Sequence, residues 1–187
     1  MRSIRNILLL GAVALGSLAF AEVKSADAVM TESFAKAKAE HKTVLLSFHA
    51  SWCGWCHKFE DFLKREDIKA IWDKRFVMVW LTVLESPDKK DTENPGGDAW
   101  LKKTGGDQGG IPFIALFNGS GEMKITSNRP ADKANAKDKG GNIGYPAAPE
   151  EIAWFMVMLE KAAPNVTSQE RATIQAALKE EAKKIGR

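Results

Sequence analysis

The chain has 187 residues, 44% hydrophobic and 27% charged, with 15 Gly and 7 Pro. Those figures allow one ordinary domain with short additions and exclude a disordered, collagen-like or low-complexity chain. A formal charge of +3 is too slight a footprint for nucleic acid, and two cysteines build neither a disulfide-rich scaffold nor a four-thiolate zinc site.

The chain opens like an address. Arg2 and Arg5 precede an apolar run from Ile7, and Ala19-Phe20-Ala21 supplies the small-x-small pattern of a signal-peptidase site. From Ile7 to Phe20 the stretch is 14 residues, whereas a membrane-spanning helix needs ~20. Residues 1–21 are therefore expected to be a cleaved signal peptide that leaves no stable membrane span. Removing 21 residues from 187 leaves 166, and losing two Arg and no acid takes the formal charge from +3 to +1. The expected destination is periplasmic or secreted, where disulfides form and persist.

Helix and strand then alternate. Ser25 to Glu40 carries Met30, Phe34 and Ala37 at helical spacing. Thr43 to Phe48 reads as a buried strand, and Trp55, Phe59, Phe62 and Leu63 mark a helix from Gly54. Asp67 is placed to cap a short helix with Ile68, Ile71 and Trp72, and Phe76 to Val83 is a second strand. A strand–helix–strand unit implies a parallel pair with a right-handed crossover. Residues 85–110 form a polar insertion with a short helix near 98–103. Phe113 to Phe117 and Glu122 to Thr126 flank Asn118-Gly119-Ser120-Gly121 as a hairpin. Residues 127–149 read as a second loop. Glu150 to Ala163 is a helix with Ile152, Phe155, Met156 and Leu159 inward, and Thr167-x-x-Glu170 is a capping box for a last helix through Ile185. The fold class is a mixed α/β layer structure, with the main domain over 22–164 and a C-terminal helical extension over 165–187.

Both cysteines fall in Trp52-Cys53-Gly54-Trp55-Cys56-His57, where a buried strand turns into a helix. A thiol in the first helical turn meets unpaired N–H groups and the positive end of the helix dipole, which favour thiolate. Such surroundings lower a thiol pKa from ~8.5 to ~3.5–7.5. A disulfide across three residues is sterically easy and adds little as a chain staple. That economy of structure points to redox chemistry.

The run KTVLLSFHASWCGWCHKFED resembles the active-site strand, W-C-x-x-C motif and helix of the thioredoxin superfamily, in particular its exported bacterial members with W-C-x-W-C. Gly110-Ile111-Pro112-Phe113 resembles the family's cis-proline loop. The resemblance spans roughly Ser25 to Ala163. It implies a thioredoxin-like fold with Cys53 as exposed nucleophile and Cys56 as resolving thiol, exchanging disulfides with partner proteins. Trp52, Gly54 and Trp55 would rim the site, and a cis Pro112 would hold the backbone of Ile111 against the partner's extended chain. The Cys53–Cys56 disulfide would be the only redox group, with no other cofactor and no metal. The partners would be protein thiols and disulfides and one redox partner, with no nucleic acid.

Two positions depart from the family pattern. Ser47 stands where these proteins usually carry a buried Asp, and His49 where an aromatic is usual. His49 is a candidate replacement base for Cys56. His57, one turn after Cys53, would favour thiolate there when protonated. The same letters admit other readings. Cys53, Cys56 and His57 also spell the c-type haem attachment motif, although it normally sits among short helices and loops. A thioredoxin-fold binder without turnover, or one holding Cu(I) or zinc with His57 or His49, is the third class. His41 reads as surface. Met78, Met156, Met158, Trp72, Trp80 and Trp154 read as core, and Tyr145 as either a packed ring or a groove wall. Reductase, oxidase and isomerase directions all stay open.

Overall fold

The computed structural model describes residues 22–135 and 137–187, so the expected signal peptide lies outside the described residues. Helix α1 (Ala26–Glu40) starts where Ser25 accepts the Ala28 N–H, and it ends at His41, an exposed residue in the left-handed region at φ 54°. Strand β1 (Thr43–His49) leads into α2 (Gly54–Lys64), α3 (Glu66–Arg75) and β2 (Phe76–Thr82). The 85–110 insertion contains a 3-10 turn over Pro87–Thr92 and then α4 (Gly97–Lys103). Next come β3 (Phe113–Phe117) and β4 (Met123–Thr126), then β5 (Asn128–Arg129) and β6 (Gly141–Asn142), and finally α5 (Pro149–Ala162) and α6 (Ser168–Lys184).

The main sheet runs β2-β1-β3-β4, with β1 parallel to β2 and antiparallel to β3, and β3 antiparallel to β4. Alternation along the strands sorts side chains into two apolar layers. Val44, Leu46 and Phe48 of β1 join Val77, Val79 and Leu81 of β2 and Phe113, Ala115 and Phe117 of β3, under α1 and α4. Leu45, Ile114 and Leu116 face the other way, where α2, α3, α5 and α6 cover them. This is the thioredoxin-like α/β arrangement that the sequence resemblance implies.

Two expectations are corrected. Asp67 is not a cap: α3 begins one residue earlier, at Glu66, because Arg65 chelates the Asp67 carboxylate and ties it to Glu180 and Glu181 of α6. The 127–149 segment is not a plain loop, since β5 and β6 pair within it, Asn128 opposite Asn142 and Arg129 opposite Gly141. Asp138 pins its tip through Arg129 and the N–H groups of Asp132 and Gly140. On α5 the inward methionines are as expected, Met158 fully buried and Met156 half-buried against the same cluster.

The last helix keeps its expected start. The Thr167 Oγ1 accepts the Glu170 N–H and the Glu170 carboxylate accepts the Thr167 N–H. Its Ile174, Ala177, Leu178 and Ala182 sit in the same apolar cluster as Phe59 and Phe155. Arg75 forks onto Glu170 at 3.0–3.1 Å and joins α3 to α6. Among the described residues no helix is long and apolar enough to cross a membrane.

Candidate active site

Strand β1 ends at His49, and the turn Ala50-Ser51-Trp52 delivers Cys53 to the N-cap of α2. There the Cys53 N–H donates to the Ala50 carbonyl at 3.0 Å. Cys53 and Cys56 are joined as a disulfide, with Cα atoms 5.2 Å apart. The Cys53 Sγ accepts the Cys56 N–H at 3.2 Å, as a capping oxygen would in an ordinary helix. No acidic residue lies in the first turn of α2. When the pair is reduced, the amide dipoles therefore act on a Cys53 thiolate without an opposing carboxylate in that turn.

The loop carrying the cis Ile111–Pro112 bond faces this cap, and the Ile111 carbonyl oxygen lies 3.5 Å from the Cys53 Sγ. Ala50, Cys53, Cys56 and Ile111 form a small apolar cluster of their own. Cys53 is only 3% exposed and Cys56 fully buried, which corrects the expectation of an exposed nucleophile. The sulfur is turned back across the first turn toward the Cys56 amide, and Ile111 closes over it. What stands exposed is the rim, Trp52 at 59% and Trp55 at 43%, together with Leu84. The Trp52 indole N–H donates to the Leu84 carbonyl at 2.7 Å, which holds this ring out in solvent by its edge. Gly54, at the first position of α2, is exposed between them.

Trp55 lies nearly parallel to Tyr145, with ring centroids 6.2 Å apart. Tyr145 is at once the packed ring and the groove wall. It touches Phe59 and Phe62 on its inner side and borders a cleft of about 220 Å³ with Trp55, Ile111, Pro112 and Gly144. Burial pushes its phenol up to about 12, so it stays protonated through the physiological range.

Beneath α2, on the sheet face that carries Leu45, lies a polar group of side chains. The His49 Nδ1 is 3.3 Å from Glu60 Oε1, and its Nε2 is 3.1 Å from the Thr82 hydroxyl, with Trp80 against the ring. Burial outweighs the Glu60 charge and holds the His49 imidazole below the usual histidine value. The neutral ring therefore donates to Glu60 through Nδ1–H and accepts from Thr82. Ser47 is fully buried and its hydroxyl has no hydrogen-bond partner among the described residues. His57 is exposed, with its Nε2 3.0 Å from the Ser51 carbonyl.

Two carboxylates here carry no sequence motif. Glu60 follows Cys56 by one helical turn, a spacing that could have singled it out. Glu85 is buried at the start of the polar insertion. It accepts the Ser51 N–H at 2.5 Å and the Ser51 hydroxyl at 2.8 Å, so it clamps the turn that carries Cys53. Burial pushes the Glu85 carboxyl up, yet these hydrogen bonds and Lys89 outweigh it and hold it below the usual range. Glu85→Ala should cost about 1–3 kcal/mol, the net worth of hydrogen bonds to a charged acceptor. A fall in the urea midpoint at unchanged slope checks it.

Among the described residues no group of three or more His, Cys, Asp or Glu side chains could hold a metal ion. The two sulfurs that c-type haem attachment would use are bonded to each other.

The profile of the thioredoxin-like family matches residues 27–119. No curated protein matches the chain. Among solved structures, a disulphide isomerase from Xylella fastidiosa Temecula1 is similar at 26% identity over 60% of this chain and 80% of its own, with a TM-score of 0.47. A DsbH oxidoreductase is 17% identical over 86% of this chain and 94% of its own, TM-score 0.45. The C-terminal domain of Neisseria meningitidis DsbD, in its oxidised form, is 20% identical over 71% and 96%, TM-score 0.39.

Proposed function

The chain belongs to the thioredoxin superfamily, and from that premise we propose that it is an exported thiol–disulfide oxidoreductase whose redox group is the Cys53–Cys56 pair. One observation carries the reading: a three-residue disulfide caps a helix whose first turn holds no acid, with a cis-proline loop laid against the first sulfur. A bridge closing so short a loop contributes little chain-entropy stabilisation, so its chemistry rather than its stapling accounts for it.

In the reducing direction, the Cys53 thiolate attacks a partner disulfide, forms a mixed disulfide and expels one partner thiolate. The Cys56 thiolate then attacks the Cys53 sulfur, closes the bridge and releases the second partner thiol, so two electrons pass to the partner. From the disulfide form the steps reverse: a partner thiolate attacks Cys53 and the pair leaves reduced. Trp52 and Trp55 offer the apolar surface on which a partner chain would rest, beside Gly54 and the Ile111 backbone. The export reading rests on the N-terminal residues 1–21.

Cys56 needs a proton acceptor in the resolving step, and Ser47 supplies no carboxylate. The His49–Glu60 pair takes that role in this proposal: Glu60 lies one turn from Cys56, and the neutral His49 can take up a proton at Nε2 by giving up its Thr82 hydrogen bond. Its pH signature follows from the depressed histidine pKa. As pH falls below about 6.5, unfolded chains protonate at this residue before folded ones, so stability declines toward the lower folded value and is complete above the unfolded one. His49→Phe should flatten that part of the urea-midpoint curve and move mixed-disulfide resolution to higher pH. An unchanged resolution profile removes His49 as the base. The proposed activity itself is tested by insulin-disulfide reduction and by oxidation of a reduced, unfolded protein. Failure of both would leave the chain a thioredoxin-fold binder.

A further inference from the structure

We infer that Asn142 is a positioning residue for disulfide exchange, a device of the 127–149 insertion that holds the Ile111 backbone against Cys53; this rests on the oxidoreductase reading. Asn142 lies on β6, far from the cysteines in sequence. Its Nδ2 lies 3.1 Å from the Gly109 carbonyl, 3.0 Å from that of Gly110 and 3.0 Å from that of Pro112. Two N–H donors are thus shared among three carbonyls that bracket Ile111. On its other side, Oδ1 accepts the Ser127 hydroxyl at 2.7 Å and the Gly144 N–H at 3.1 Å. Three acceptors on one side and two donors on the other leave only one orientation for the amide.

The anchor behind it is rigid. Ser127 is fully buried, its hydroxyl accepts the Ile114 N–H of β3 at 2.9 Å, and its backbone N–H donates to the Ile114 carbonyl at 2.8 Å. A continuous hydrogen-bonded path therefore runs from the central sheet through Ser127 and Asn142 to the loop whose Ile111 carbonyl lies 3.5 Å from the Cys53 sulfur. Gly109 shows how closely the parts fit. A Cβ built there would lie 2.8 Å from the Asn142 Cβ, so a side chain at 109 must push the asparagine away.

Held in this way, the loop does two jobs. It covers the Cys53 sulfur, and it presents an ordered backbone edge to an extended partner chain. Release of Asn142 should expose the sulfur and blur the edge, which a protein substrate feels and a small disulfide does not.

In the full chain with the pair reduced, Asn142→Ala should speed Cys53 alkylation by iodoacetamide about fivefold. It should raise KM for insulin disulfide by roughly 10–100-fold with kcat little changed. Exchange with a small aromatic disulfide, which needs only access to the sulfur, should rise by about the same fivefold and show no loss. Gly109→Ala, which keeps the asparagine, should reproduce all three effects and carries the test should Asn142→Ala not fold. Asn128→Ala removes a comparable bond to the Gly105 carbonyl on the paired strand and should reproduce none. Unaltered alkylation in both the 142 and 109 variants, or an equal loss toward insulin and the small disulfide, overturns the inference. A wild type inactive on every disulfide would instead overturn the oxidoreductase reading, and the alkylation rates would still decide whether Asn142 holds the loop.

Discussion

Cys56→Ser should accumulate covalent adducts with partner proteins, whereas Cys53→Ser should form none and lose exchange altogether. The asymmetry follows from where the two sulfurs sit. Cys53 occupies the N-cap, before the first turn is closed, with its sulfur covered by Ile111 and exposed Trp52 next to it in the chain. Cys56 is inside the first turn and fully buried. A partner can therefore reach only Cys53, and only Cys56 is placed to break the resulting bond. With Ser at 56 the mixed disulfide has no internal exit and persists until an external thiol arrives. Non-reducing electrophoresis of each variant, incubated with a disulfide-bearing protein, reads this directly. Adducts with the Cys53 variant and none with the Cys56 variant would invert the assigned roles. The closed cover over Cys53 adds a second expectation, that exchange is slower than the thiolate's pKa alone would give, because Ile111 must yield first.

How far the sequence carries depends on whether the determinant is local. The strands announced themselves because β1 and β3 are buried on both faces, so Val44 to Phe48 is apolar but for Ser47 and Phe113 to Phe117 is an unbroken apolar run. The C-x-x-C motif, the Ile111–Pro112 pair and the Thr167 capping box are likewise written within a few neighbouring residues. Asn142, Ser127 and Glu85 were not legible in this way. Each acts through backbone groups at least 13 positions away, and a single Asn, Ser or Glu in a polar stretch looks like a solvated loop. The same cause underlies the β5–β6 ribbon, where two-residue strands carry no periodicity to detect. Burial of Cys53 was also invisible, since it depends on a loop 58 positions downstream folding over the cap. Asp67 failed as a cap for a related reason: Arg65 gathers it together with Glu180 and Glu181, and that gathering needs α6 in place.

Phe59→Ala should be the most damaging single change away from the sulfurs. Phe59 is fully buried on α2, one turn beyond Cys56, and its ring meets Trp80 of β2, Phe155 of α5 and Tyr145. Truncating it removes the transfer free energy of an aromatic side chain and leaves a cavity walled by large rings that cannot close it, about 3–5 kcal/mol in all. Against a typical domain stability of about 5–15 kcal/mol, that is a large share of the total. The loss also has a functional arm. Tyr145 rests on Phe59 from below and stacks on Trp55 from above, so the cavity opens beneath the rim of the site. Phe59→Leu fills most of the space and should recover much of the stability, but without a flat face for Tyr145 it should restore turnover on insulin less completely than it restores the urea midpoint. Parallel recovery of both quantities would show that the aromatic stack supports the fold alone, and that the groove beside the disulfide does not depend on it.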